Sequence, residues 1–427
     1  MKIAVIGGGG REHAVIKKLK KNPRVTKIYA LPGNGGIAQD AECVAIKATD
    51  VEAAVRFAVE KQIDFVVVTP DDPLAMGMVD RLKEKGIPAF GPSAKAAEIE
   101  SSKVFAKQLM KKYHIPTAGY EVFEEPDEAI DYIKAQNQYP VVIKADGLAL
   151  GKGVVIAENE KMAAEALQSI MNDKIFGDSG NKVIVEEFLQ GPEVSVLSFT
   201  DGTTLVPMVT SMDHKRAYDG DVGPNTGGMG TVAPNPYFTP EIAKRCMDEI
   251  FMPTVAAMNA EGRKFKGCLY FGLMLTQNGP KVIEYNCRFG DPETQVVLPL
   301  LESDLLDIFE AVEQERLAQA EVRFMDKAAC CVVLASGGYP KNYRTGLPVE
   351  GLKNAEAKEG VSVYHAGTKK ADGRLVTAGG RVLGVTAVAG TLEEAVANAY
   401  EAAGEIHFEQ MHFRKDIGRR ALTKRGI

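Results

Sequence analysis

The sequence predicts a multidomain protein of mixed α/β and α+β class, and three observations lead to this prediction. The chain has 427 residues, more than a single hydrophobic core usually organises. Apolar runs at residues 3–6, 25–30 and 65–68 each precede a helix-like segment, as in a parallel βαβ domain. Near the end, the apolar run CCVVLAS, a Gly-Gly turn and a helical pattern at 391–403 predict a small α+β domain.

The chain is predicted to divide at two places. Small polar residues cluster in FGPSAKAAEIESSK, where Ser101 and Ser102 are suitable N-caps for a helix that continues to about Tyr113. The second division precedes the CCVVLAS strand. The predicted domains are residues 1–102, residues 103–325 with a smaller lid unit at about 117–190, and residues 328–427. Within the middle domain, strands are predicted at 140–145, 182–189, 194–200, 204–209, 267–276 and 280–287, and helices around 239–261 and 303–317.

Charge and composition exclude several classes of partner. The net charge of −6 gives no electrostatic footprint for nucleic acid or for an anionic membrane. No stretch approaches the roughly 18 apolar residues of a membrane span, and the run at residues 3–6 is far shorter than a secretory signal core. The six cysteines have no paired spacing, which favours free thiols in a reducing cytoplasm.

The motif VIGGGGREH, residues 5–13, follows directly from the first predicted strand. A dinucleotide-binding fingerprint needs a third glycine where Glu12 stands and an acidic residue about 20 positions later. Residues 24–39 contain neither Asp nor Glu, so an NAD-dependent oxidoreductase is disfavoured. Two interpretations stay open. The motif is a tight turn that packs a helix on its strand, or it forms a small-phosphate site together with the glycine turn at 33–36.

The strongest nucleotide-binding signal is VVIKADGLALGKGVV, residues 141–155. Lys144 ends a buried strand, and a turn containing Gly151, Lys152 and Gly153 follows. A Walker A loop has four residues between its glycines and a Ser or Thr after its lysine, and this segment has neither. The segment fits equally well an ordinary hairpin with exposed lysines and a mobile glycine hairpin that closes over a triphosphate.

Acidic residues at the next strand end indicate a hinge. Glu186, Glu187 and Glu193 surround a Gly-Pro turn in VIVEEFLQGPEVS. Taken alone they are surface charges. In combination with the preceding lysine strand, they are suited to contact the amino group and ribose hydroxyls of an adenosine.

The strand KVIEYNC, residues 281–287, predicts a magnesium site. The strand period of two places Val282, Glu284 and Asn286 on one face. The last two offer the hard oxygen ligands that suit Mg²⁺, which typically takes one or two protein ligands plus phosphates and water. A solvated edge strand is the weaker alternative, because the long apolar run CLYFGLML precedes this one.

Two charged segments near this strand are predicted to meet substrates. Arg288 stands just before a predicted helix and can meet an anion, while Asp291 and Glu293 are predicted to be mainly helix-capping groups. The stretch SMDHKRAYDGDVGPNTGGMG has little periodicity and is predicted to be a long substrate loop. Asp213 and Lys215 lie in its charged part.

Taken in order, GGREH, PGNGG, FGPS, KADGLALGKGV, EEFLQGPE, DHKR, GPNTGGMG, YNCRFGDPETQ and GGRVL resemble the glycinamide ribonucleotide synthetase family of ATP-grasp ligases over nearly the full length. The resemblance implies a Rossmann-like N-terminal domain, an ATP-grasp central domain of two subdomains and a small α+β C-terminal domain. It implies a cytoplasmic enzyme of purine biosynthesis that joins glycine to 5-phosphoribosylamine with ATP as co-substrate, through glycyl phosphate. The implied cofactor is Mg²⁺ or Mn²⁺, the implied partners are small molecules, and a monomer is compatible with it.

The resemblance also implies roles for individual residues. Catalytic roles fall to Arg288, Asp213 and Lys215, and metal binding to Glu284 and Asn286. ATP would be held by Lys103, Lys144, Gly151, Lys152, Gly153, Glu186, Glu187, Phe188 (through its backbone) and Glu193. Glycine and phosphoribosylamine would be held by Gly9, Gly10, Arg11, Glu12, Pro32, Gly33, Asn34, Asp71, Asn225, Thr226, Gly227 and Gly228.

The chain departs from the family pattern in three places. Gly8 stands where the family usually has another residue, which predicts a small loss of rigidity. Asp71 replaces a glutamate, so its reach to substrate is shorter. Many ATP-grasp enzymes carry an acidic ligand on the strand before the metal strand, and LYFGLML (269–275) has none. We therefore expect a metal site with two protein ligands, and a second ion, if bound, held mostly by ATP.

Overall fold

The N-terminal part of the computed structural model, which describes residues 1–148 and 153–423, is a five-stranded parallel sheet of order β3-β2-β1-β4-β5. This confirms the parallel arrangement predicted from the apolar runs. The strands are β1 Lys2–Gly7, β2 Lys27–Pro32, β3 Glu42–Cys43, β4 Phe65–Val68 and β5 Ala89–Phe90. The helices are α1 Gly10–Leu19, α2 Val51–Glu60, α3 Asp71–Ala75, α4 Met78–Glu84 and α5 Ala94–Ser101.

The lid unit is a four-stranded antiparallel sheet of order β6-β9-β7-β8 with its own apolar core. Ser102 caps the helix that leads into it, because its side chain accepts from the backbone N–H of Phe105 at 3.1 Å. Ser101 instead ends α5. The strands are β6 Tyr120–Phe123, β7 Val141–Ala145, β8 Val154–Ala157 and β9 Val183–Glu187, and the helices are α6 Lys103–Lys112, α7 Pro126–Gln136 and α8 Glu160–Leu167.

A second antiparallel sheet has the order β11-β10-β16-β17. It meets the lid unit where Lys144 Nζ donates to Ile283 O at 3.0 Å, and the polar space around Lys144 and Glu284 is called the cleft below. The predicted helix at 239–261 is present as two α-helices joined by a π turn at Met247–Phe251. The strands are β10 Glu193–Thr200, β11 Leu205–Pro207, β16 Gly267–Thr276 and β17 Gly279–Asn286, and the helices are α9 Pro240–Cys246, α10 Met252–Ala260, α11 Thr294–Leu300 and α12 Leu305–Glu313.

The C-terminal sheet includes two strands from the middle of the chain. Its order is β12-β15-β18-β22-β19, with β23 paired to β18, and β15 is antiparallel to β18. The strands are β12 Met212–Asp213, β15 Gly230–Ala233, β18 Ala328–Ser336, β19 Val361–His365, β22 Arg381–Ala389 and β23 Met411–His412. Two hairpins accompany this sheet, namely β13 Arg216–Tyr218 with β14 Val222–Asn225 and β20 Thr368–Ala371 with β21 Arg374–Thr377. The remaining helices are α13 Leu352–Glu356, α14 Leu392–Glu405 and α15 Arg419–Leu422.

The prediction of one long loop at residues 211–230 was therefore wrong, while the part of this stretch in substrate binding stays a prediction. The stretch contains β12, the β13–β14 hairpin and the start of β15. Each strand is only two to four residues long. Strands this short are too short to give a recognisable alternation of apolar and polar residues in the sequence.

An aromatic cluster holds the N-terminal and central sheets together. Phe90 of β5 stacks on Phe309 of α12 with ring centroids 3.9 Å apart, and Phe199 and Phe289 pack edge-on and tilted around them. All four rings are at most 2 % exposed, so their burial fixes how the two sheets face each other. No helix in the described ranges is long and apolar enough to cross a membrane.

Candidate functional site

Two glycine turns lie side by side at the carboxyl ends of β1 and β2. The backbone N–H of Gly33 donates to Gly7 O at 3.1 Å, and Asn34 Nδ2 donates to Gly8 O at 2.9 Å. A Cβ on Gly8 would lie 2.4 Å from Gly33 O, so this chain requires glycine where the resembling family usually has another residue. The turns share one sheet edge, as the sequence predicted, and it is at such edges that ligands of α/β proteins bind.

The residues after the first turn are fixed by one another. Helix α1 begins at Gly10, and the buried Glu12 carboxylate accepts from the Gly9 N–H. Arg11 donates from Nε to Glu12 Oε1 at 2.6 Å and from its guanidinium to Phe289 O at 3.0 Å. Both carboxylate oxygens of Glu12 are therefore used inside the turn, where they hold its backbone in place. Pro32, at the end of β2, borders the same edge.

On the lid side, one buried carboxylate serves two buried ammonium groups. Glu186 Oε2 on β9 lies 3.0 Å from Lys144 Nζ on β7 and 3.1 Å from Lys107 Nζ on α6. All three side chains are at most 5 % exposed. Burial lowers the pKa of Lys107 to about 8, against the opposing field of Glu186. Glu186 Oε1 is buried and has no hydrogen-bond partner among the described residues, so it is available to a ligand.

Lys103 begins α6 and points into the same space. Its Nζ donates to Gly147 O at 2.6 Å. Burial lowers its pKa, while Glu284 opposes that shift. Gly153 follows in the same hairpin, where its carbonyl accepts from Ala145 N at 2.8 Å. Gly151 and Lys152 lie outside the described residues.

The predicted hinge residues occupy different surroundings. Glu187 is half-exposed, and its Oε1 accepts from Lys281 Nζ at 2.8 Å and from Gly119 N at 3.0 Å, so it ties β9 to its neighbours. Phe188 follows β9 and is 36 % exposed. Glu193 starts β10, and its carboxylate lies 3.6 Å from Lys215 Nζ.

Glu284 and Asn286 share the cleft face of β17, but Val282 does not. A bulge shifts the register of β17 against β16, so that Glu284 pairs with Gly272 while Val282 pairs with Leu273. The prediction of one face for all three was wrong, because the bulge turns Val282 into the apolar core. Gly272 leaves room opposite the glutamate, since a Cβ there would lie 3.1 Å from Glu284 Cγ.

The donor set on β17 fits a hard divalent cation. Burial opposes ionisation of Glu284, but the fields of Lys215, Lys144 and Lys103 outweigh it and lower the pKa of its carboxyl group. Asn286 is 8 % exposed, and its amide nitrogen has no hydrogen-bond partner in the described part of the chain. An ionised carboxylate beside an amide is the ligand pair that Mg²⁺ accepts. Within residues 1–148 and 153–423, no three His, Cys, Asp or Glu side chains are grouped to hold a metal.

Arg288 is held by a glutamate from another segment. Its guanidinium lies 2.8 Å from Glu100 Oε1, and Glu100 Oε2 accepts from Cys287 N at 2.7 Å. Burial raises the pKa of Glu100, and the field of Asp71 adds to this while Arg288 opposes it. Arg288 Nε is buried without a partner among the described residues. Asp71, at the start of α3, therefore belongs electrostatically to the Arg288 cluster.

The segment from Asp213 to Lys215 lies opposite, at the end of β12. Lys215 Nζ is 3.6 Å from Glu193 and 3.7 Å from Glu284, and these carboxylates raise its pKa well above its usual value. Burial and the nearby Glu293 raise the pKa of Asp213 well above its usual value. His214 between them points away: its Nδ1 bonds Gly230 O at 3.1 Å and its Nε2 accepts from Gly418 N at 3.2 Å.

The turn after Asn225, at the end of β14, is the third glycine turn of the cleft. Thr226 Oγ1 donates to Lys215 O at 2.8 Å and accepts from Gly228 N at 3.0 Å. A Cβ on Gly228 would lie 2.7 Å from Asp213 Oδ1. The turn and the Asp213 segment are therefore in direct contact.

Comparisons with known proteins agree with this geometry. Family models of phosphoribosylglycinamide synthetase match the chain at residues 1–100 (N domain), 101–294 (ATP-grasp (A) domain) and 329–420 (C domain). Phosphoribosylamine–glycine ligases from Caldanaerobacter subterraneus subsp. tengcongensis (49 % identical; 98 % of this chain, 99 % of that protein) and Halalkalibacterium halodurans (48 %; 100 % and 99 %) match over their full length. The chain belongs to the phosphoribosylglycinamide synthetase family.

Solved structures of this family and of other proteins share the fold of this chain. The crystal structure of phosphoribosylamine–glycine ligase from Thermotoga maritima superposes with a TM-score of 0.85 at 33 % identity, covering 98 % of this chain and 100 % of that one. A biotin carboxylase domain from Hydrogenobacter thermophilus, 17 % identical, superposes with a TM-score of 0.72 over 96 % of this chain and 91 % of its own, which shows the fold alone. As a member of this family, the chain is an ATP-grasp ligase of purine biosynthesis that forms phosphoribosylglycinamide.

Two side chains of the family motif FGDPE are not capping groups. Glu293 stands at the N-cap position of helix α11, which begins at Thr294, but its side chain makes no capping hydrogen bond, and Asp291 lies two residues further from the helix, so the predicted capping role of both acids was wrong. The Asp291 carboxylate instead accepts from Gln295 Nε2 at 2.6 Å and lies 3.3 Å from Arg381. Glu293 Oε1 accepts from the Tyr270 hydroxyl at 3.0 Å.

Sequence reasoning missed three residues of the site, namely Glu100, Lys107 and Arg381. The first two lie inside helices, at positions where a charged residue is ordinarily solvated, so nothing in the local sequence distinguishes them. Arg381 stands in the GGRVL motif, which carried part of the family resemblance but no assigned role. Attention to each charged residue inside a family motif would have found it.

Proposed function

We propose that the cleft between the lid unit and β17 is where this ligase joins glycine to 5-phosphoribosylamine, with glycyl phosphate as the intermediate. One observation carries the proposal. Four cations from four separate segments, Lys103, Lys144, Lys215 and Arg288, all act on the Glu284 carboxylate. Phosphoryl transfer needs mainly positioned positive charge and aligned reactants, and such a convergence supplies it.

The lid side is proposed to hold ATP. Lys103 and Lys144 would contact its phosphates, together with the turn of Gly151, Lys152 and Gly153. Glu186 would accept from the adenine amino group through its unpaired Oε1, with the backbone of Phe188 beside it. Glu187 and Glu193 would border the sugar.

Glu284 and Asn286 are proposed to hold Mg²⁺ or Mn²⁺. When bound, such an ion would neutralise phosphate charge and fix the orientation of the triphosphate. The ionised carboxylate of Glu284 and the amide oxygen that Asn286 can offer two residues further along β17 support this assignment.

The first chemical step is attack by a glycine carboxylate oxygen on the γ-phosphorus. An O–P bond forms, the bond from that phosphorus to the β–γ bridging oxygen breaks, and ADP leaves. The guanidinium of Arg288, held in direction by Glu100, would stabilise charge on the acyl phosphate. Lys215 is placed beside Glu284 to meet the same oxygens.

In the second step, the amine of phosphoribosylamine attacks the glycyl carbonyl. A C–N bond forms, the C–O bond to phosphate breaks, and the nitrogen loses a proton. Asp213 is proposed to accept that proton, because it lies against the turn at Gly228 and burial raises its pKa above its usual value, which makes its carboxylate a stronger base. The acceptor would lie among the glycine turns, with contacts from Gly9, Gly10, Arg11, Glu12, Pro32, Gly33, Asn34, Asp71, Asn225, Thr226, Gly227 and Gly228.

The proposal includes a cellular compartment and an oligomeric state. All six cysteines are unpaired, and a reducing compartment such as the cytoplasm keeps them so. A monomeric enzyme acting on small molecules is part of the same proposal.

The test is substrate dependence of ADP release. Purified protein should release ADP at a sustained rate only when ATP, Mg²⁺, glycine and phosphoribosylamine are all present. ADP release that is indifferent to glycine would contradict the proposal, and ATP binding without turnover would indicate a nucleotide sensor. Enhanced NADH fluorescence on titration would revive the oxidoreductase alternative.

A further inference from the structure

Arg381 connects the C-terminal sheet to two parts of the cleft. It is the first residue of β22, and its side chain is 20 % exposed. One terminal nitrogen donates to Gly227 O at 2.6 Å and to Asp291 O at 2.7 Å. The other terminal nitrogen lies 3.3 Å from Asp291 Oδ2. A single guanidinium thus spans the turn after β14 and the segment that follows the metal strand.

The C-terminal part of the chain holds Gly227 from both sides. Its carbonyl accepts from Arg381, and its N–H donates to the Tyr339 hydroxyl at 3.1 Å. A Cβ on Gly227 would lie 2.9 Å from Arg381 Cζ. The peptide is therefore pressed against the guanidinium, and no larger residue fits without moving it.

Through Asp291, the same guanidinium reaches the first glycine turn. A Cβ on Gly9 would lie 3.4 Å from Asp291 Oδ2, and a Cβ on Gly10 would lie 2.6 Å from Gln295 Nε2. Gln295 in turn donates to Asp291 Oδ1. The Arg381–Asp291–Gln295 chain therefore forms one wall against which the turn at Gly9 and Gly10 rests.

We propose that Arg381 is a positioning residue for the phosphoribosylamine subsite, an inference that rests on the proposed function. It sets the distance between the turn at Gly227 and the turn at Gly9, and so determines whether both can contact one acceptor molecule. Its hydrogen bonds are made with protein groups, so it acts through those turns rather than on the reacting atoms. A lysine cannot replace it, because one ammonium group cannot reproduce the planar fork that meets two carbonyls and a carboxylate.

The experiment compares R381K and R381A with the control R344K. Arg344 is also in the C-terminal part, but its side chain is 63 % exposed and, among the described residues, its ion pair is with Glu409 at the surface. Steady-state rates are measured against ATP, glycine and phosphoribosylamine in turn, well below the unfolding temperature. We expect KM for phosphoribosylamine to rise about tenfold or more and kcat to fall in both Arg381 variants, as small misplacements of reactants do. KM for ATP should stay within about twofold, since the lid side is untouched.

Three outcomes overturn the inference. They are R381K with the kcat and the phosphoribosylamine KM of the wild type, KM values for ATP and phosphoribosylamine that rise in parallel with a loss of thermal stability, and R344K with the same defects as R381K. Should R381A fail to fold, G227A tests the same contact, because its methyl group displaces the guanidinium while keeping the charge. If the wild type itself shows no activity dependent on glycine and phosphoribosylamine, it is the proposed function that fails, not the role of Arg381.

Discussion

The lid side and the acceptor side of the cleft are built in opposite ways. On the lid side, Lys107, Lys144 and Glu186 are buried charged side chains that pair with one another. On the acceptor side, the groups that face the cleft are backbone turns rich in glycine, held by side chains from elsewhere such as Asn34 and Arg381. The lid side therefore contributes charged side chains, whereas the acceptor side contributes backbone groups whose positions are fixed by packing.

The difference predicts how each region responds to substitution. Removal of one charge on the lid side leaves its partners unpaired in a dry environment, so stability and nucleotide binding fall together. Loss of a holding group on the acceptor side lets a turn shift, which alters use of the acceptor before it alters the fold. The following predictions test that contrast, from the largest expected effect to the smallest.

The largest effect is expected for E284Q, where the two regions meet. The substitution removes the carboxylate on which four cations converge, and we expect kcat to fall about 10²–10³-fold. ADP release measures the rate, and thermal unfolding recorded on the same samples separates loss of catalysis from loss of folded protein, because the ionised Glu284 also stabilises the fold. E321Q, at an exposed glutamate, is the matched control. A rate within threefold of the wild type would refute the metal assignment.

E186Q should be the most destabilising of these variants. It removes the only carboxylate within 4 Å of both Lys107 and Lys144 in the described residues. We expect the free energy of unfolding to fall by about 3 kcal/mol, as when one partner of a buried ion pair is lost, and ATP affinity to fall with it. Urea unfolding with and without an ATP analogue measures both. E187Q, at a half-exposed site, should cost about 1 kcal/mol or less, and an equal loss in the two variants would contradict the buried-pair argument.

The pH dependence of stability isolates the buried Lys107. Its pKa is about 8 in the folded protein and returns to about 10.5 on unfolding. Between these values the unfolded chain binds the extra proton, so the free energy of unfolding should rise with pH. Measured from pH 8 to pH 10.5, the wild type should therefore gain stability relative to K107M. A difference that is flat or falls across this window would show that Lys107 is not held in a dry site.

Local patterns predicted the elements of the fold but not their long-range pairing. The apolar runs at 65–68 and 140–145 form β4 and β7, because a continuous apolar run is itself the sequence pattern of a buried strand. The pairing of β15 with β18 joins residues about 100 positions apart, and no local period reports it. Asp291 showed the same limit, since its sequence resembles a helix cap while its partner, Arg381, lies 90 residues further on.

In the candidate site too, residues within one strand were predictable and contacts between distant segments were not. Glu284 and Asn286 were identifiable because both sit on one strand beside a recognisable motif. The bulge that separates them from Val282 was not predictable, because it depends on the register against β16. Glu100 was missed because its role depends on Arg288, which is close in space only after three sheets have packed.

The smallest effect is expected for D71E, on the acceptor side. The Asp71 carboxylate accepts a local bond from Asp72 N at 3.1 Å and acts on Arg288 and Glu100 only through its field. A longer side chain that keeps the charge should therefore change KM for phosphoribosylamine by about threefold or less, because no close contact is lost. D71N, which removes the charge, is the matched comparison and should raise that KM more than D71E changes it. A tenfold or greater penalty in D71E would mean that the proposed contact of Asp71 with the acceptor tolerates no change in side-chain length, and the acceptor side would then depend on a precisely placed charged side chain as the lid side does.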